Sequence, residues 1–71
     1  MNNTSQSTTA GEFTVYANGS VYGPAAYLRE VDTKAVIRSG LNLLAPVAAE
    51  QGETDPLKLA AVVLQTDLAR W

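Results

Sequence analysis

DPLKLAAVVLQTDLARW, residues 55–71, decides how the rest of this chain folds. Asp55 is placed to cap a helix through its carboxylate and Pro56 to occupy the first helical position, where its missing N–H is not needed. Leu57, Ala61, Leu64, Leu68 and Trp71 then recur at steps of four, three, four and three and form one apolar stripe. Leu59, Val62 and Val63 lie off it. The helix therefore carries more apolar surface than one face can hold, and a short chain offers little core in which to hide both sets.

Upstream, Gln51-Gly52 reads as the stop of a preceding helix that starts near Asp32 or Thr33. Its best stripe is Ile37, Leu41, Leu44 and Ala48, with Lys34, Arg38 and Asn42 opposite. Pro46 deletes a hydrogen bond to the Asn42 carbonyl, so a kink or a break is expected there. Gly40, costing about 1 kcal/mol in helix propensity relative to alanine, implies close approach of another backbone. A connection of about four residues makes the two helices an antiparallel hairpin, with the Ile37 stripe against the Leu57 stripe.

Further upstream, Phe13-Thr14-Val15-Tyr16-Ala17 and Ser20-Val21-Tyr22 flank Asn18-Gly19, a strong signal for a two-residue β-turn. That turn sets Tyr16 opposite Val21 and Val15 opposite Tyr22, so that Phe13, Val15 and Tyr22 face the core. Gly23-Pro24 ends the second strand and opens a short helix or turn over residues 25–31, with a third strand as the second choice. Residues 1–11 are mostly Asn, Ser, Thr and Gln, which cannot repay the entropy of ordering. The expected fold class is α+β: an N-terminal β-hairpin packed on a C-terminal antiparallel helical hairpin. Residues 1–11 form a disordered, flexible polar arm and residues 12–71 a single small domain.

The 71 residues contain no cysteine and no histidine, which removes disulfides, the commonest zinc ligand and the commonest general base. Ser20 and Ser39 thus have no imidazole to activate them. The densest carboxylate group, Glu50, Glu53 and Asp55, lacks the spacing of a calcium loop. Capping by Asp55, a favourable position for Glu53 near the helix start and solvation of Glu50 account for it. No catalytic, metal or cofactor-binding residue is assigned. A formal net charge of −2 argues against nucleic acid, whose phosphates call for a basic patch. The longest apolar run, Leu59 to Leu64, is far short of a bilayer span, and the first residues do not form a signal peptide.

With 46% hydrophobic and 17% charged residues, the chain is expected to be a non-enzymatic protein-interaction module. It would be a small accessory or assembly subunit, such as a virion component, that self-associates or docks on a protein partner through its C-terminal helix. A monomeric inhibitor that occludes a host protein and a carboxylate-based metal-binding or catalytic domain are the alternatives. The expected interface residues are Tyr16, Leu59, Val62, Val63, Leu68 and Trp71, because aromatic anchors concentrate binding energy. On this reading Leu68→Glu breaks association and leaves the helix in place. The expected location is cytoplasmic, or the virion or host cytoplasm if the chain is phage-encoded.

Overall fold

The computed structural model describes residues 6–71. Three strands, β1 (Ser7–Ala10), β2 (Phe13–Tyr16) and β3 (Val21–Tyr22), precede three helices, α1 (Ala25–Glu30), α2 (Thr33–Glu50) and α3 (Pro56–Ala69). The strands form one antiparallel sheet in the order β1-β2-β3, and α3 packs on both the sheet and α2. The α+β architecture read from the sequence is therefore present, with the helical hairpin packed on the strands.

Two features of the strands depart from expectation. Ser7–Ala10, assigned to the flexible arm, is an edge strand in register with β2, Ser7 opposite Tyr16 and Ala10 opposite Phe13. The arm reading over residues 1–5 lies outside the described residues. What orders β1 is its turn: Gly11 takes φ +60°, and the Glu12 amide donates to Gln65 Oε1 of α3 at 3.1 Å. With positive φ only at the first of its two central residues, the Gly11-Glu12 turn has the pattern of type II′, which suits the twist of paired strands. Backbone ladder bonds and the Thr9–Thr14 hydroxyl contact of 2.9 Å then supply what the polar side chains cannot.

The second correction is the register of β2 and β3. Val15 pairs with Val21 and Thr14 with Tyr22, one residue away from the expected pairing. The loop holds three residues, because only Gly19 takes positive φ (+94°) while the Gly19 amide donates to the Tyr16 carbonyl and the Tyr16 amide to that of Ser20. That is a turn followed by a left-handed glycine, with Asn18 Oδ1 accepting from the Ser20 amide at 2.9 Å. Because side chains alternate, the slip sends Tyr22 out and brings Val21 in. Tyr22 is 62% exposed, while Phe13 and Val15 are buried.

The helix termini follow the sequence closely. Asp32 caps α2 by accepting from the Ala35 amide at 3.3 Å, and Asp55 caps α3 by accepting from the Leu57 amide at 3.0 Å. At the end of α2 the Gly52 amide donates to the Ala49 carbonyl and the Glu53 amide to that of Ala48, with Gly52 at φ +83°. This double bond pattern with a left-handed glycine closes the helix and reverses the chain. Pro46 does not break α2, which runs from Thr33 to Glu50 through it. Pro46 and Asn42 are both exposed, so water can reach the carbonyl that the proline leaves without its donor.

The core lies between the sheet and α3: Phe13 and Val15 from β2, Tyr27 from α1, and Ala60, Ala61 and Leu64 from α3. Val36, Ile37, Leu57 and Leu68 pack at its margin, while the close contact between α2 and α3 runs through Gly40 and Val63, off the two stripes expected to pair. Tyr27 is fully buried, edge-on to the Phe13 ring at 5.2 Å and to the Trp71 ring at 5.4 Å. Its hydroxyl donates to Asp67 Oδ2 at 2.7 Å, which ties α1 to α3. Burial, reinforced by that carboxylate, pushes the Tyr27 phenol well above its ordinary value of 10.

Candidate functional site

The helical hairpin packs on the sheet through α3, and its outer face is covered by no element among the described residues. On α2 the inner stripe of Ile37, Leu41, Leu44 and Ala48 is accompanied by a second, Val36, Gly40, Leu43 and Val47, offset by one residue and again spaced four, three, four. Leu43 is 80% exposed and Val47 is half exposed. Leu43 lines a groove of about 510 Å³ between α2 and α3. From α2 the groove takes Val36, Gly40, Leu43 and Leu44, with Ala35 and Ser39 on its rim. From α3 it takes Val63, and Thr66, Asp67 and Arg70 make one end polar.

Gly40 sets how closely α2 and α3 approach at the groove. It carries no side chain, and the Val63 side chain of α3 occupies the space a β-carbon would need. The glycine thus admits a neighbouring side chain where the sequence implied a backbone. A larger residue would both separate the helices and fill the groove floor.

The residues expected to form an interface do not converge on one surface. Val63 is buried between α2 and α3, at 8% exposure, because it is the residue that Gly40 accommodates. Leu68 packs against the central core and so is not an exposed docking residue. Leu59 and Val62 are half-buried on α3; Leu59 precedes Val63 by one turn and shares its side of the helix. Tyr16 lies on the far face of the sheet, half-buried and edge-on to Tyr22 at 5.4 Å. Trp71 remains 58% exposed while its ring contacts Tyr27, so it combines packing and exposure.

Leu43 and Val47 were missed as exposed residues because the Ile37 stripe already accounted for α2. The signal that finds them is the second four-three-four spacing, hidden by the glycine at its second position. At the interhelical turn, Glu53 Oε2 accepts from the Asp55 amide at 3.4 Å and Asp55 caps α3, so those two carboxylates serve the backbone. Among the described residues no group of three or more Asp or Glu side chains is arranged to hold a metal ion, and no helix is long and apolar enough to cross a membrane. No family model matches the chain, and no curated protein or solved structure is significantly similar to it.

Proposed function

We propose that this chain is a non-enzymatic protein-interaction module, an accessory or assembly subunit, whose docking surface is the outer face of the α2–α3 hairpin. The observation that carries this reading is Leu43, a large aliphatic side chain 80% exposed at the rim of an apolar groove. A scattered exposed leucine needs no explanation, but one followed a turn later by the half-exposed Val47 and set beside a concave surface has the character of a binding site. The emphasis moves from α3 to α2, since Val63 and Leu68 are occupied within the chain.

Affinity capture from the native cell tests this with three forms of the full chain: wild type, Leu43→Glu and Tyr22→Ser. Leu43→Glu is expected to lose the wild-type set of bound proteins, and Tyr22→Ser, altering the opposite face, to keep it. Capture indifferent to Leu43→Glu and abolished by Tyr22→Ser would move the docking surface to the sheet.

A further inference from the structure

We infer that Asn18-Gly19, in the loop between β2 and β3, is a self-modifying site: when the hairpin opens, the Asn18 carboxamide loses ammonia to its own backbone, and the isoaspartyl product keeps β3 from pairing again.

The backbone nitrogen that follows an asparagine can attack the side-chain carbonyl carbon, and a glycine in that place offers the least hindrance. Asn18 is the sole asparagine of the chain that precedes a glycine. Both residues are exposed, and nothing lies within 4 Å of where a β-carbon of Gly19 would stand. In the reaction the Gly19 nitrogen bonds to Asn18 Cγ and the Cγ–Nδ2 bond breaks. The Gly19 amide proton passes through water to the leaving nitrogen, which departs as ammonia. Water then opens the cyclic imide. Cleavage between the Gly19 nitrogen and the Asn18 backbone carbonyl leaves the chain running through the side-chain carbon as isoaspartate; cleavage on the other side leaves aspartate. Nothing is oxidised or reduced.

The folded loop restrains the first step. The Gly19 amide donates to the Tyr16 carbonyl at 2.9 Å, and Asn18 Oδ1 accepts from the Ser20 amide at 2.9 Å. The first bond engages the proton that attack must remove, and the second pins the carboxamide toward Ser20. Both must be released before the imide forms. What has to open is small: β3 is Val21–Tyr22 alone, at one edge of the sheet, joined to β2 by the Thr14–Tyr22 and Val15–Val21 pairs. Edge segments of this kind open at the low end of a protein's range of local stabilities. Two hydrogen bonds of ordinary strength slow the folded protein by about tenfold or more relative to the unfolded chain.

Isoaspartate lengthens the backbone of the loop by a carbon. Loop length sets the register of a hairpin, and here the Gly19–Tyr16 and Tyr16–Ser20 backbone bonds close the loop. The longer path cannot keep both. Val21 then leaves the margin of the core and Tyr22 leaves the Tyr16 ring. Aspartate keeps the backbone length and an oxygen to accept from the Ser20 amide, so the isoaspartyl product alone frees β3.

The test is incubation of the purified full chain in mildly alkaline buffer, folded or in urea, followed over time by peptide mapping with mass spectrometry. Asn18 is expected to exchange amide for acid in both, about tenfold or more slowly when folded. Asn42, inside α2 and followed by Leu43, should keep its amide. Val21→Ala, which weakens β3, should narrow the gap between folded and unfolded rates with helical circular dichroism unchanged. The separated isoaspartyl form should show faster hydrogen exchange at the Tyr16 amide, and Asn18→Asp should match wild type there. An Asn18 amide that survives in urea as long as that of Asn42, a folded rate equal to the unfolded one, or a gap indifferent to Val21→Ala would each overturn the inference. Wild-type exchange at Tyr16 in the isoaspartyl form, or the same loss in Asn18→Asp, would overturn it as well.

Discussion

Gly40 of α2 and Val63 of α3 interlock so closely that a β-carbon at position 40 would overlap both γ-carbons of the valine. Gly40→Ala gains about 1 kcal/mol of helix propensity but forces overpacking that costs about 1–3 kcal/mol. Val63 cannot easily yield, because a β-branched side chain in a helix has one strongly preferred rotamer. The expected outcome is a net loss of stability in urea unfolding, relieved when Val63→Ala is added. A stabilised single variant would show that the helices separate freely here.

Tyr27→Phe keeps the buried ring and its two aromatic neighbours but removes the hydroxyl that donates to Asp67. The expected loss is about 1.5–3 kcal/mol at neutral pH, that of a hydrogen bond to a charged acceptor. Since the folded phenol titrates above its ordinary value of 10, the unfolded chain releases that proton first. This stabilisation is therefore complete below pH 10 and falls as pH rises beyond it. The difference in unfolding free energy between wild type and Tyr27→Phe should shrink through that alkaline window; a constant difference would count against the phenol as its source.

Gly11→Ala meets two obstacles, a φ of +60° and the Gln65 carboxamide lying where its β-carbon would go. A left-handed alanine costs about 1–2 kcal/mol from the backbone alone, and displacement of Gln65 also frees the Glu12 amide. The expected result is faster hydrogen exchange at the Ala17 amide, which donates to the Gln6 carbonyl beside β1, with the helices unaffected. Protection equal to wild type would show that the turn does not hold the strand.

Leu68→Glu now carries a different expectation from the one drawn on sequence alone. Leu68 packs against the core, so a glutamate there should reduce helical circular dichroism and stability together, by about 2–5 kcal/mol as for other large losses of core packing. Trp71→Ala should cost about 0.5–1.5 kcal/mol through the lost Tyr27 contact and leave the fold in place. If Leu68→Glu unfolds nothing, the margin of the core is looser than its contacts indicate.

The helices were legible because their signals are local. Asp32, Asp55, Pro56 and Gly52 act within one turn of themselves, and the Ile37 and Leu57 stripes repeat at the helical period, so the helical hairpin follows from the chain read in order. The candidate site was only partly legible. Leu43 and Val47 lie on a stripe visible in the spacing, but whether a stripe is covered depends on which of two adjacent faces meets the neighbouring helix.

By itself the sequence determined α2 and α3, their caps, the hairpin between them and the α+β class, since each rests on propensity, capping or periodicity within a few residues, while α1 was left open between helix, turn and strand. Only the tertiary structure decided that Ser7–Ala10 is a strand, that Tyr22 faces outward and that Val63 is buried while Leu43 is not. Those outcomes depend on contacts between distant positions, Gln65 with the Gly11-Glu12 turn and Val63 with Gly40. A polar strand gains its order from a ladder and a turn rather than from its own side chains, and a one-residue choice in a loop reverses every side chain after it.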